Sequence, residues 1–211
     1  MEIKKNKGIS HLTAIILAGG KSSRIGLYKN KAKIRFNGKC LMDIVISKLK
    51  FIVGDNIIIV GPPEEYPYFR QVVPDLLPQR GPLVGIYSGL KISLSQYNLV
   101  VGCDMPFLEV KLLQYMKENI NSNDIIIPRY GSDYIEPLCA IYSKNCLKII
   151  ERNIKAGILS VRMVFPYLKV KFIEEEEIKK LDHGFYSFFN INSQCDFKRA
   201  EELIKKQKGI K

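Results

Sequence analysis

The chain has 211 residues, 46% of them hydrophobic and 26% charged, enough to bury a full core and close to the upper limit of one domain. The apolar run Thr13–Ala18 is too short to cross a bilayer and leads into Gly19-Gly20-Lys21 rather than a cleavage site. Five cysteines without a CxxC pair argue against a disulfide frame or a zinc site, so a cytoplasmic protein with reduced thiols is expected. The net charge of +12 is concentrated in the first fifty residues, where 12 Lys and Arg stand against 2 acidic residues. Such a stretch suits RNA, polyanionic small ligands or merely solvated lysines.

In chain order, Thr13–Ala18 reads as a short strand buried on both faces, as in a parallel sheet. Apolar residues at Leu41, Ile44, Val45, Leu49 and Ile52 give a helical period over Leu41–Ile52. Asn56–Val60 and Gln71–Val73 read as strands. Pro82–Leu94 reads as a helix despite Gly85 and Gly89, Tyr97–Cys103 as a central strand and Leu108–Ile120 as a helix. Asp124–Pro128 and Leu138–Tyr142 read as strands, and Lys144–Lys155 and Ser160–Phe165 as helices. Lys169–Ile173 and Phe188–Ile191 complete the strands. A last helix covers Ser193–Lys206, with Ser193 as N-cap. The Glu174–Glu177 run beside Lys179-Lys180 reads as a solvated turn or helix start, and Tyr66-Pro67-Tyr68-Phe69 as packing. Strands alternating with helices predict an α/β fold: a doubly wound, mostly parallel sheet in a three-layer α/β/α sandwich. No linker or repeat divides it, so one domain over 1–211 is expected, residues 1–12 being a flexible extension.

Ligands of such sheets bind at the carboxyl ends of the strands, which directs attention to Gly19-Gly20, Asp75 and Asp104. Two glycines after a buried strand bring backbone N–H groups close to an anion or base, and Lys21, Arg24, Lys29 and Lys31 add phosphate-binding charge. An ordinary strand-to-loop turn with solvated lysines has the same composition. A P-loop fails because position 15 is Ile15 rather than glycine, and no G-x-G-x-x-G dinucleotide fingerprint is present. Asp104 ends an apolar strand and is followed by Pro106, a suitable position for one carboxylate on Mg²⁺; a turn or N-cap aspartate is the plainer alternative.

Taken together, Leu17–Gly26 (L-A-G-G-x-S-x-R-x-G), Pro74-Asp75-Leu76, Gly81-Pro82-Leu83-Val84-Gly85-Ile86, Cys103-Asp104-Met105-Pro106-Phe107, Ile135-Glu136-Pro137-Leu138 and Phe189-Asn190-Ile191-Asn192 give a distinctive pattern. The chain resembles the molybdenum cofactor guanylyltransferase family, within the GT-A-like nucleotidyltransferases, from about Thr13 to Leu203. The resemblance implies a Rossmann-like GT-A fold. It also implies that Leu17, Ala18 and Gly19 present backbone groups to guanine, and that the loop through Gly20, Ser22 and Arg24 holds the triphosphate. Lys31 would contact phosphate, Asp75 the nucleoside and Asp104 the Mg²⁺. Asn190 and Asn192 would lie on the acceptor side or near the metal, and Arg162 would reach the acceptor. The local N-K-A pattern and the spacing to Gly38 select Lys31 over Lys29. Some members carry an Asn near the end of the second strand; here the nearest position is Val60, so that contact is not carried over.

The implied reaction transfers GMP from GTP to the terminal phosphate of molybdenum-molybdopterin and releases pyrophosphate. An ionised phosphate nucleophile requires no strong general base, in keeping with a chain whose only histidines are His11 and His183. Partners implied are GTP and the molybdenum-molybdopterin cofactor, with cofactor-supplying or molybdoenzyme maturation proteins beside them; no membrane and no nucleic acid is expected. CTP, or a phosphosugar acceptor, remains an alternative within the class. RNA binding is a remote one, since Tyr28 and Phe36 are the only aromatics in the basic stretch and provide no stacking platform.

Overall fold

The computed structural model describes residues 12–19 and 34–207. Strand β1 (Leu12–Leu17) is followed by a hairpin of β2 (Arg35–Phe36) and β3 (Lys39–Cys40), then α1 (Leu41–Val53), β4 (Ile57–Val60), β5 (Val72–Val73) and α2 (Pro82–Ile92). Strand β6 (Tyr97–Gly102), α3 (Val110–Glu118), β7 (Ile125–Tyr130), β8 (Tyr134–Ile135) and β9 (Cys139–Ser143) come next. The last described elements are α4 (Cys146–Lys155), β10 (Val170–Ile173), α5 (Glu175–Leu181) and α6 (Gln194–Gln207).

Among the described residues the main sheet runs β10-β7-β9-β6-β1-β4-β5, with β8 attached to β7. β1 pairs in parallel with β4 and β6, β4 with β5, and β7 with β10. β9 runs antiparallel to both β6 and β7. The mostly parallel three-layer reading therefore holds, with β9 reversed in the middle of the sheet.

Side chains alternate across the sheet, as the strand period of two requires. Ala14, Ile16, Leu99 and Val101 face α1, α3 and α5, packing on Val45, Leu49, Leu112, Met116 and Ile178. Ile15, Val100, Ile125 and Tyr142 face α2 and α4, packing on Leu83, Ile86, Leu90, Ile150 and Ile154. Each fully buried Leu or Ile contributes roughly 2–3 kcal/mol over exposure. The glycines of α2 are what allow it to sit so close to β1. A Cβ on Gly89 would lie 2.5 Å from Ile15 Cγ2, and one on Gly85 would lie 3.1 Å from a Leu17 methyl. A third cluster of Phe36, Leu41, Ile191 and Ala200 docks α6 on the β2–β3 hairpin. Phe36 meets Phe107 and Phe197 edge-on at 5.8 and 5.5 Å.

Two expectations change. Phe188–Ile191 is not a strand: Tyr186–Phe188 is a 3-10 turn entered through Phe185 at φ 53°. The buried Asp182 carboxylate fixes this turn by accepting from the N–H groups of Tyr186 (3.0 Å) and Ser187 (2.8 Å), a geometry no sheet ladder can use. The helix expected at Ser160–Phe165 is a 3-10 helix over Val161–Tyr167, with Pro166 inside. Of the two readings of the acidic run, the helix start is the one found: Glu174 and Glu177 form a capping box for α5. Ser193 caps α6 as expected, its Oγ accepting from Asp196 N at 3.2 Å. Cys103, Cys139 and Cys146 are buried and outside any disulfide, whereas Cys195 is exposed. Of the aromatic run, Tyr66 is buried and Tyr68 is 95% exposed.

Candidate active site at the carboxyl edge of the sheet

The carboxyl ends of β1, β4, β5, β6, β7 and β10 share one edge, and the reversal of β9 brings its first residue to that edge as well. Four contacts organise the part around β1. Ala18 N donates to Val60 O (2.8 Å), Cys103 N to Leu17 O (3.2 Å) and Gly61 N to Val73 O (2.9 Å), while Tyr66 Oη donates to Ala18 O (3.0 Å). The carbonyls of Leu17 and Ala18 thus already accept bonds from the protein. Position 61 favours glycine, because a Cβ there would lie 3.2 Å from the carbonyl carbon of Ala18. Tyr66, read from sequence as packing, is therefore also a brace for the first turn of the site.

Asp75 lies beside Gly19, its Oδ2 3.8 Å from where a Cβ on that glycine would stand. It is exposed, yet crowded enough by neighbouring atoms that desolvation raises its pKa. Gln79, which motif reading did not select, has a buried side-chain oxygen with no hydrogen-bond partner. Gly81 (φ 138°) follows it and caps the N-terminus of α2.

Asp104 follows β6, its side chain folded back so that Oδ1 would be 2.6 Å from a Cβ on Gly102. Its carbonyl accepts from Ile191 N at 2.9 Å, which ties the segment before α6 to the end of β6. Glu136, three residues before β9, is 4% exposed. Its Oε1 accepts from Leu138 N at 3.1 Å. Burial first, and the nearby charge of Asp104, push its pKa up to about 7. Sequence reading quoted Glu136 only as part of a motif. The signal that could have singled it out is a carboxylate shortly before a buried strand, visible as functional only once that strand is known to be reversed.

On the far side, Asn190 has a buried oxygen without a partner, and Asn192 N donates to Asp196 Oδ2 at 3.0 Å. Arg162 is bound to Asp133 through Oδ2 at 2.8 Å and through its carbonyl, at the β7–β8 turn where Asp133 adopts φ 99°. Tyr130 stacks on Phe188 at 4.9 Å. A cleft of about 380 Å³ opens beside this pair, lined also by Phe185, Tyr186, Arg199 and Lys206. The structure thus brings Leu17, Ala18, Gly19, Asp75, Asp104, Asn190 and Asn192 to one edge, and holds Arg162 on a neighbouring turn. Gly20, Ser22, Arg24, Lys29 and Lys31 lie outside the described residues, as does His11; His183 is exposed.

No group of three or more His, Cys, Asp or Glu able to hold a metal ion occurs among the described residues. One carboxylate with substrate phosphates and water is nevertheless a usual Mg²⁺ environment, and Asp104, at the end of β6, has the chemistry for it. Glu136 is a second carboxyl group buried at the same edge. No helix among the described residues is long and apolar enough to cross a membrane.

Comparison with known proteins agrees with this fold. A molybdenum cofactor guanylyltransferase from Desulfosudis oleivorans is 35% identical over 92% of this chain and 96% of its own length. The crystal structure of molybdopterin-guanine dinucleotide biosynthesis protein A from Archaeoglobus fulgidus superposes with a TM-score of 0.79 at 31% identity, covering 92% of this chain and 99% of that one. A nucleotidyl transferase structure from Methanothermobacter, 16% identical with a TM-score of 0.70 over 93% of this chain and 99% of that one, shares the fold. The model of the MobA-like NTP transferase domain matches residues 14–166, and the chain belongs to that family of nucleotidyltransferases.

Proposed function

We propose that the protein transfers GMP from GTP to the terminal phosphate of molybdenum-molybdopterin. A phosphate oxygen of the acceptor forms the new bond to the α-phosphorus, the α–β bridging bond breaks, and pyrophosphate leaves. The observation that carries this reading is the convergence of Gly19, Asp75 and Asp104 on one sheet edge in a chain of this family.

The residues have distinct tasks. The glycine turn after β1, braced by Tyr66, would let backbone groups reach the nucleotide, and Asp75 would hold the nucleoside. Arg24 and Lys31 would offset repulsion between the anions, with Lys29 in reserve for Lys31. Asp104 would hold Mg²⁺, whose chemistry when bound is to neutralise charge on the triphosphate. Positioning and electrostatics dominate such transfers. Asn190, Asn192 and Arg162 would serve the acceptor, and the aromatic and basic cleft beside Tyr130 suits a planar anionic molecule.

The test is pyrophosphate release with acceptor, Mg²⁺ and each NTP in turn. Release with GTP is expected, falling at least about a hundredfold in Asp104→Ala, the order expected when a charge-stabilising metal is lost. Release with CTP alone would move the reading to a cytidylyltransferase. Unchanged activity in the variant would remove Asp104 from the site.

A further inference from the structure

We infer that Gln79 reads the nucleobase, its side-chain oxygen accepting from the Watson–Crick-edge N–H groups of guanine. The inference rests on the guanylyltransferase reading and names a residue that the family pattern does not supply.

The argument begins with an incomplete hydrogen bond. Among the described residues only three buried side-chain polar atoms lack a partner: the oxygens of Gln79, Asn98 and Asn190. Such atoms are uncommon in native proteins because each forfeits its hydration, and a ligand can complete them. Asn98 lies at the start of β6, where Tyr97 pairs with Leu12, at the opposite edge from the cleft. Asn190 adjoins Ile191, which is bonded to Asp104 on the acceptor side. Of the three, Gln79 is the one on the nucleotide side.

Its position follows from what brackets it. Four residues earlier, Asp75 sits beside Gly19. Two residues later, Gly81 caps α2, whose Gly85 packs on Leu17. The intervening turn is held by Leu76 N donating to Ser88 Oγ at 2.9 Å. The loop therefore begins beside the residue that follows β1 and leads into a helix whose Gly85 packs on the carboxyl end of that strand. The neighbouring strand end presents Val60, a buried apolar residue with nothing to offer a base. An orphan acceptor in that place requires a donor. Guanine presents N1–H and N2–H side by side, whereas adenine presents an acceptor at N1.

The test is calorimetric binding of GTP, ITP, ATP and CTP to the wild type, Gln79→Leu and Gln79→Glu, with thermal melts as a folding control. Gln79→Leu is expected to weaken GTP roughly 10- to 100-fold, the effect of leaving polar edges unpaired, and to shrink the GTP-over-ATP preference by the same factor. Gln79→Glu, which keeps an acceptor, is expected to retain that preference. ITP, which has N1–H and no 2-amino group, should lose affinity in Gln79→Leu only to the extent that N1–H is the donor. GTP affinity within about twofold of wild type in Gln79→Leu overturns the assignment, as does equal loss for GTP and ATP in both variants. A wild type that binds CTP and not GTP overturns the underlying function instead, and the inference with it.

Discussion

The two halves of the sheet meet at Asp104 and are held by different means. The half formed by β1, β4, β5 and β6 is parallel and closely packed through glycines. Gly61 admits the Ala18 carbonyl, Gly85 admits Leu17 and Gly89 admits Ile15, each leaving little or no room for a methyl group. The half formed by β9, β7 and β10 is held at its edge by exchangeable polar contacts. Arg129 donates to both oxygens of Glu174 at 3.1 and 2.6 Å and lies over the Phe172 ring. Arg162 grips Asp133, and Gly131 N donates to Glu175 at 2.6 Å. Close packing leaves one arrangement for the backbone around Gly19 and Asp75, whereas ion pairs at a partly exposed edge can be exchanged for other polar contacts.

Four substitutions would break or sharpen that contrast. The largest effect on stability is predicted for Glu136→Gln, at the seam. The folded pKa of Glu136, about 7, lies above its ordinary value of 4.5. The native state therefore keeps a proton that the unfolded chain has lost, and stability falls as pH rises between those values. The neutral amide removes this cost. Urea denaturation in EDTA should show Glu136→Gln gaining on the order of 3 kcal/mol over wild type at about pH 8 and almost nothing near pH 4.5. A constant difference across pH would show that Glu136 does not titrate there.

Next comes Gly89→Ala, which tests the packed half. The helix-propensity gain of about 1 kcal/mol is opposed by a clash with Ile15, and a net loss of about 2 kcal/mol is expected. A gain in the same denaturation experiment would mean that α2 can move away from β1. Gly102→Ala should affect chemistry more than folding, because the new methyl would stand 2.6 Å from Asp104 Oδ1 and push that side chain aside. Turnover is predicted to fall about tenfold, equivalent to about 1.4 kcal/mol, with a melting temperature close to wild type. The smallest effect belongs to Arg162→Ala. Its partner Asp133 is 61% exposed, so a loss below about 1 kcal/mol is expected, with the KM for GTP unchanged. A larger loss would show that the polar edge is as rigid as the packed half.

Much of the packed half is legible in the sequence because it obeys local rules. Buried parallel strands are continuous apolar runs, as from Ala14 through Leu17, and the candidate site residues Gly19, Asp75 and Asp104 follow their ends. The half around β9, β7 and β10 is less legible, for physical reasons. Phe188–Ile191 has the composition of a strand, yet Asp182, outside that apolar run, fixes the turn that leads into it. Strands of two residues such as β2, β3 and β8 have too short a period to detect. Gln79 carries no motif, and only its buried oxygen marks it.

The reversed β9 also has a consequence for how the protein assembles. β7 precedes β9 in the chain but reaches the parallel half only through it, and β10 reaches it only through β7. Strands β1, β4, β5 and β6 can therefore associate as soon as β6 is made. β7 has no place in the sheet until a strand synthesised after it has docked on β6. Outward from β6 the order in space is β9, β7, β10, which is not the order of synthesis, so this half of the sheet cannot be completed until both β9 and β10 have been made.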